Sequence, residues 1–122
     1  MKANELMIDD WVYNAHNRKN EKVAEIGCGL VMLDYNDLYE YDEIEPIPLT
    51  SEILEKNGFE LSVDFGNVYS LKESQRFWAV YVSEGVYALG CQSIDSSFAN
   101  IRYVHQLQHA LRICEIEKEI IL

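Results

Sequence analysis

The chain has 122 residues, which is enough for one domain that buries a single core without staples. Hydrophobic residues make up 48% and charged residues 25%, the balance of an ordinary globular protein with no low-complexity tract. With 21 acidic against 10 basic residues the net charge is −11, and this argues against direct nucleic-acid binding, because affinity for a polyanion comes mainly from Lys and Arg at the phosphates.

At the N-terminus, Met1-Lys2-Ala3-Asn4-Glu5 lacks the basic and apolar regions of a signal peptide, so the expected location is the cytoplasm. Leu6, Ile8 and the run Trp11-Val12-Tyr13 predict an opening strand. The polar stretch Asn14 to Glu21 predicts a loop at a hairpin tip. Val23 to Ile26 and Leu30 to Tyr35 predict two strands joined by the turn Gly27-Cys28-Gly29. Cys28 in that turn is a candidate for exposure, but nothing in the sequence places a base or a positive charge beside it to form the thiolate.

The next segment carries the charge anomaly. No basic residue occurs between Lys22 and Lys56, while Asp34, Asp37, Glu40, Asp42, Glu43 and Glu45 fall close together with Tyr35, Tyr39 and Tyr41 between them. Three readings compete for this segment. One is a solvated strand edge and loop whose charges discourage edge-to-edge aggregation. Another is an acidic, tyrosine-bearing surface for a basic protein partner, formed by Asp34, Tyr35, Asp37, Tyr39, Glu40, Tyr41, Asp42 and Glu43. The third is calcium. Asp34 and Asn36 resemble the start of an EF-hand loop, but Leu38 and Tyr39 occupy the positions of a ligand and the obligatory glycine, so no metal is expected.

Beyond it, Glu43 to Leu49 is extended, and Pro46 and Pro48 restrict it to an edge or irregular strand. Thr50 or Ser51 caps a short helix through Lys56, with Asn57-Gly58 as its stop. Phe59 to Phe65 and Val68 to Leu71 flank a Gly66-Asn67 turn, and Arg76 to Val82 and Val86 to Gln92 flank Ser83-Glu84-Gly85. These predict an antiparallel meander. The longest apolar run, Phe77 to Val82, is too short for a membrane span. Asp95 to Asn100 predicts a polar loop, residues 101 to 114 a helix, and Ile116 to Leu122 a last short strand. The three cysteines, Cys28, Cys91 and Cys114, are an odd count without a C-x-x-C pair, which fits reduced thiols, with Cys91 and Cys114 as small core residues.

The C-terminal helix holds the one near-motif. His105-Gln106-Leu107-Gln108-His109 has the histidine spacing of H-E-x-x-H, but Gln106 stands where the general base belongs, and a glutamine cannot take a proton from a metal-bound water. On a helical wheel Val104, Leu107, Ala110, Leu111 and Cys114 form the core stripe. His105 and His109 fall opposite them, on a solvent face with Arg102 and Arg112, and two imidazoles beside arginines lack the further ligands a tight metal site needs. They remain a candidate polar site, with His105 open to a structural hydrogen bond as well.

The blocks Glu43-Ile44-Glu45-Pro46-Ile47-Pro48-Leu49-Thr50, Leu54-Glu55-Lys56-Asn57-Gly58-Phe59 and Tyr103-Val104-His105-Gln106-Leu107-Gln108, with the opening Leu6-Met7-Ile8-Asp9-Asp10-Trp11-Val12, carry a resemblance. In that order they resemble a family of uncharacterised small proteins common in gut Bacteroides-type bacteria, their phages and mobile elements. The family often has glycine at the position of Asp9 and asparagine at that of His109. The resemblance implies no activity.

The expected architecture is one α+β domain over residues 1–122, with sub-lobes 1–49 and 50–122. It combines an SH3-like N-terminal lobe, a β-meander, one short central helix and one C-terminal amphipathic helix. Two functions follow. The first is a non-enzymatic accessory protein that binds a basic macromolecule through the acidic segment. The second is a small-ligand binder or enzyme using His105 and His109 in a pocket. No phosphate loop or catalytic triad spacing is present, and no cofactor is expected. Strand edges, or an aromatic face bearing Phe77, Trp78 or Tyr81, leave a homo-oligomer open.

Overall fold

The computed structural model describes residues 1–34, 37–91 and 98–122. Among them are ten antiparallel strands in two five-stranded sheets and two α-helices, an α+β protein. Backbone contacts divide the chain into two units, Met1–Ile47 with Tyr103–His105, and Pro48–Arg102 with Gln106–Leu122.

In the first unit β1 (Trp11–Asn14), β2 (Lys19–Ile26), β3 (Leu30–Leu33) and β4 (Asp37–Glu40) form a meander. The short β5 (Ile44–Glu45) returns beside β1, giving the order β4-β3-β2-β1-β5, and a 3-10 turn over Tyr41–Glu43 precedes it. The SH3-like lobe expected here is shown as far as this five-stranded antiparallel sheet. Period-two alternation turns Val12, Val31, Leu33 and Tyr39 inward, where they meet Leu6, Val23 and Ile44. A register shift between Val23 and Glu25 bends β2, as a bulge does.

Two expectations change here. Leu6 and Ile8 are not in a strand, because Asp9 takes a left-handed φ of 73° and the Asp10 carboxylate accepts the Met7 amide at 2.8 Å, curling the segment. The hairpin tip also shortens to residues 15–18, since Lys19, Asn20 and Glu21 pair with β1. The Asn14 side chain closes the turn by accepting the amides of His16 and Asn17.

The second unit opens with α1 (Ser51–Lys56). Thr50 Oγ1 accepts the Ile53 amide at 3.3 Å, and Gly58, at φ +85°, lets the chain turn out of the helix. β6 (Phe59–Leu61), β7 (Val68–Leu71), β8 (Ser74–Ser83), β9 (Val86–Cys91) and β10 (Ala99–Ile101) then form a meander in the order β10-β9-β8-β7-β6. The helix α2 (Val104–Ile113) follows, with Gln106–Ile113 of it in this unit. Phe77 is fully buried, in edge contact with Phe59 at 6.1 Å and Phe98 at 6.4 Å. Its neighbour Trp78 lies on the opposite sheet face, over Gly90, where an added Cβ would sit 2.5 Å from the indole. Phe77 and Trp78 therefore share no aromatic face.

Further differences concern pairing. The strand expected through Phe65 stops at Leu61, and Phe65 is exposed. The expected polar loop from Asp95 to Asn100 is described only from Phe98 on, and its Ala99 and Asn100 pair with β9 as a strand together with Ile101, expected to open the last helix. The tail is not a strand. Burial alternates along it, with Ile116, Lys118 and Ile120 turned in and Ile120 fully buried, but the Ile121 amide and carbonyl bond to the side chain of Asn57 instead of to a neighbouring strand.

The end of α2 is a Schellman motif: the Ile116 amide bonds to the Leu111 carbonyl at 2.9 Å, and the Glu115 amide to that of Arg112 at 3.0 Å. The left-handed position, φ 58°, belongs to Glu115 rather than to a glycine. Glu115→Gly is expected to stabilise the protein by about 0.5–1 kcal/mol, as relieved Cβ strain exceeds the added unfolded-state entropy. A lowered urea midpoint would instead assign the Glu115 side chain a holding role.

Candidate functional site

The acidic segment lies at the end of the first sheet. Among the described residues β4 pairs only with β3, so Asp37–Glu40 is a terminal strand there. Asp37, Glu40, Asp42 and Glu45 are exposed, while Glu43 is half-buried and accepts the Glu40 amide at 3.1 Å. Asp34 is exposed, yet its Oδ1 accepts the Lys22 amide at 2.8 Å, so it also closes a turn. Leu38 is 56% exposed at the centre of the strand. The register sets Leu38 beside Met32, Glu40 beside Leu30, and Glu25 on the other flank of Met32. The outer face of β3–β4 is thus an apolar strip with carboxylates around it, and Leu30 is 40% exposed.

The tyrosines take a different place from that expected. Tyr35 lies outside the described residues. Tyr39 is buried, and its hydroxyl accepts from Asn17 Nδ2 at 2.8 Å. Tyr41 is half-buried and donates its hydroxyl to the Gly27 carbonyl at 2.6 Å. Tyr39 and Tyr41 tie elements of the first unit together rather than lying free on its surface. Alternation along β4 requires this of Tyr39, since Leu38 and Glu40 face out.

Behind Tyr39 is a closed polar network. Glu21 is 3% exposed and accepts from Asn14 Nδ2 at 3.0 Å and Asn17 Nδ2 at 3.2 Å, with Lys19 Nζ 3.4 Å away. Burial raises the Glu21 pKa, but the bonds from Asn14, Asn17 and Lys19 and the lysine charge outweigh it and hold the carboxyl below its ordinary value.

The α2 histidines do not form a solvent face. His105 is 5% exposed and stacks on Tyr103, with ring centroids 6.0 Å apart. His109 is half-buried. The wheel assigned one apolar stripe to a surface helix, whereas the buried residues Val104, His105, Leu107, Gln108, Ala110 and Leu111 cover an arc of about 220°. Arg112 is half-buried, and exposed Arg102 donates from Nη1 to the Glu84 carbonyl at 3.3 Å. Gln106 reaches back over the first helical turn, its Oε1 accepting the Arg102 amide at 2.8 Å. The residue that breaks the protease signature ties the helix start to the backbone just before it. No cluster of three or more His, Cys, Asp or Glu side chains suited to a metal occurs among the described residues.

A cleft of about 430 Å³ lies in the second unit instead, lined by Ser74, Arg76, Cys91, Ile113, Cys114, Glu115 and Ile116. No histidine lines it. Cys91 is buried at the end of β9, and Cys114 is partly exposed at the C-terminal cap of α2. Burial, the charge of the Cys91 thiol and a hydrogen bond with it push the Cys114 thiol above its ordinary pKa. Sequence reasoning gave both cysteines to the core and saw no link between them, because their proximity arises only from folding. The strip formed by Leu30, Met32 and Leu38 had a signal. Apolar residues at every position of Leu30–Leu33 mark a strand with two apolar faces.

No protein family, curated protein or solved structure matches this chain. No helix among the described residues is long and apolar enough to cross a membrane.

Proposed function

We propose that the chain is a non-enzymatic accessory protein whose β3–β4 face docks a basic, extended segment of a partner protein. The observation that carries this reading is the exposed terminal strand β4, with Leu38 at its centre and carboxylates on either side. A peptide paired along β4 gains main-chain hydrogen bonds. Peptide side chains on the outer face lie beside Leu38 and Glu40, with Leu30 and Met32 one strand further in, while those on its other face lie on the side of Asp37. Charges alone suffice to protect an edge, so protection does not account for an exposed leucine in the middle of one. The net charge of −11 steers a basic partner toward this surface and disfavours pairing with a second acidic copy. The resemblance to proteins of phages and mobile elements fits an accessory role.

The test is an NMR titration with a short peptide of alternating Lys and Val. Amide shifts are expected to be confined to residues 30–33 and 37–40. The affinity is expected to fall at moderate salt, and by about tenfold or more in an Asp37→Lys, Glu40→Lys variant, a loss of about 1.4 kcal/mol. Shifts scattered over the surface, or an affinity untouched by Leu38→Ser, would remove β4 as the docking strand.

A further inference from the structure

Cys91 and Cys114 come from sequence positions 23 residues apart yet face one cleft in the second unit. Each is held by a separate element. Cys91 ends the strand β9, paired with Phe77 of β8. Cys114 caps α2, its amide bonded to the Ala110 carbonyl at 3.0 Å and its carbonyl side turned by the Schellman closure. Both side chains line the same cleft, close enough for the Cys91 thiol to influence the ionisation of Cys114. One is buried and one partly exposed, so a reagent entering the cleft meets Cys114 first. The cleft volume is in the range of small-molecule sites, and at its wall Arg76 offers a cation to a carboxylate and Glu115 an anion to an ammonium group.

We propose that Cys91 and Cys114 form a covalent dithiol site that takes small, carboxylate-bearing disulfides from the cleft by thiol–disulfide exchange. The Cys114 thiol loses its proton and attacks one sulfur of the disulfide, forming a mixed disulfide and releasing one small thiolate, which takes up that proton. The Cys91 thiol then loses its proton and attacks the Cys114 sulfur. The second small thiolate leaves and is protonated in turn. In sum, two protein thiols become one Cys91–Cys114 disulfide, and one small disulfide becomes two small thiols. Cys114 is the attacking residue because it is the more exposed, and Cys91 is the resolving residue because it is buried against it. Burial disfavours the Cys114 thiolate, which slows the attack. This site is independent of the β3–β4 face.

Oxidised glutathione is the probe, and the full chain carrying Cys28→Ser is the protein, so that only two of the three cysteines remain. Intact-mass analysis with alkylation of free thiols is expected to show loss of two hydrogens and a fall from two alkylated cysteines to none, reversed by dithiothreitol. Peptide mapping should join Cys91 to Cys114. In a further Cys91→Ser variant the mixed disulfide with Cys114 should persist, because the resolving thiol is gone. In Cys114→Ser neither product should form. Either of two results overturns the proposal: both thiols stay alkylatable after prolonged exposure, or the protein with both cysteines stops at the mixed disulfide. Circular dichroism of each variant separates loss of the site from loss of the fold.

Discussion

Replacing Asn57 by alanine is expected to destabilise the protein by about 3 kcal/mol, although the substitution touches neither the acidic strand nor the cleft. Asn57 is 1% exposed and makes three side-chain hydrogen bonds. Its Nδ2 donates to the Ile53 carbonyl and to the Ile121 carbonyl, both at 2.8 Å, and its Oδ1 accepts the Ile121 amide at 2.7 Å. One side chain thereby ends α1 and supplies the tail with the bonds a neighbouring strand would otherwise give. Alanine leaves these backbone groups without the side chain, at about 1 kcal/mol for each bond. It also loosens the seat of Ile120, which is 1% exposed. Urea unfolding measures the total, and hydrogen exchange at Ile121 isolates the latch. Asn57→Asp should restore the acceptor only and fall between the two. A loss below about 1 kcal/mol, with Ile121 still protected, would mean that the tail is held by its apolar contacts instead.

The second large effect belongs to the Glu21 network, and it depends on pH. Asn14→Ala is expected to cost about 3 kcal/mol at neutral pH, because it removes a donor from a buried carboxylate and the acceptor that closes the hairpin turn. The folded protein holds the Glu21 carboxyl below the ordinary value of 4.5, so the charged form is the one the fold favours. Its contribution is fully present above that value and is lost as pH falls through the lower, folded one. Glu21→Gln removes this titration. Its stability should lie below that of the wild type at neutral pH, and the gap should narrow only under acid conditions, below about pH 4.5. A gap that stays constant down to strongly acid pH would show that Glu21 acts by shape and hydrogen bonding alone.

Both networks mark the limit of the linear reading. Asn57-Gly58 was legible as a helix stop, because a left-handed glycine after a short capped helix is a local signal. That the same asparagine binds a segment 64 residues further along was not legible, since nothing local encodes it. Tyr39 and Tyr41 read as surface because their neighbours are acidic, yet strand alternation buries the first and a hydroxyl bond to Gly27 engages the second.

The sequence by itself determined the α+β class, most strand positions, the capped helix over residues 51–56 and the core stripe of the last helix. It also determined the acidic segment and the absence of a catalytic glutamate at Gln106. These follow from turn chemistry and from periods of 2 and 3.6, which act over a few residues. The tertiary structure alone decided that His105 is buried, that residues 99–101 form an edge strand, that the tail answers to Asn57, and that Cys91 and Cys114 share a cleft. A period reports which side of an element is buried and not what buries it. Partners far apart in sequence are chosen by the packing of the whole sheet, and no local pattern records that choice.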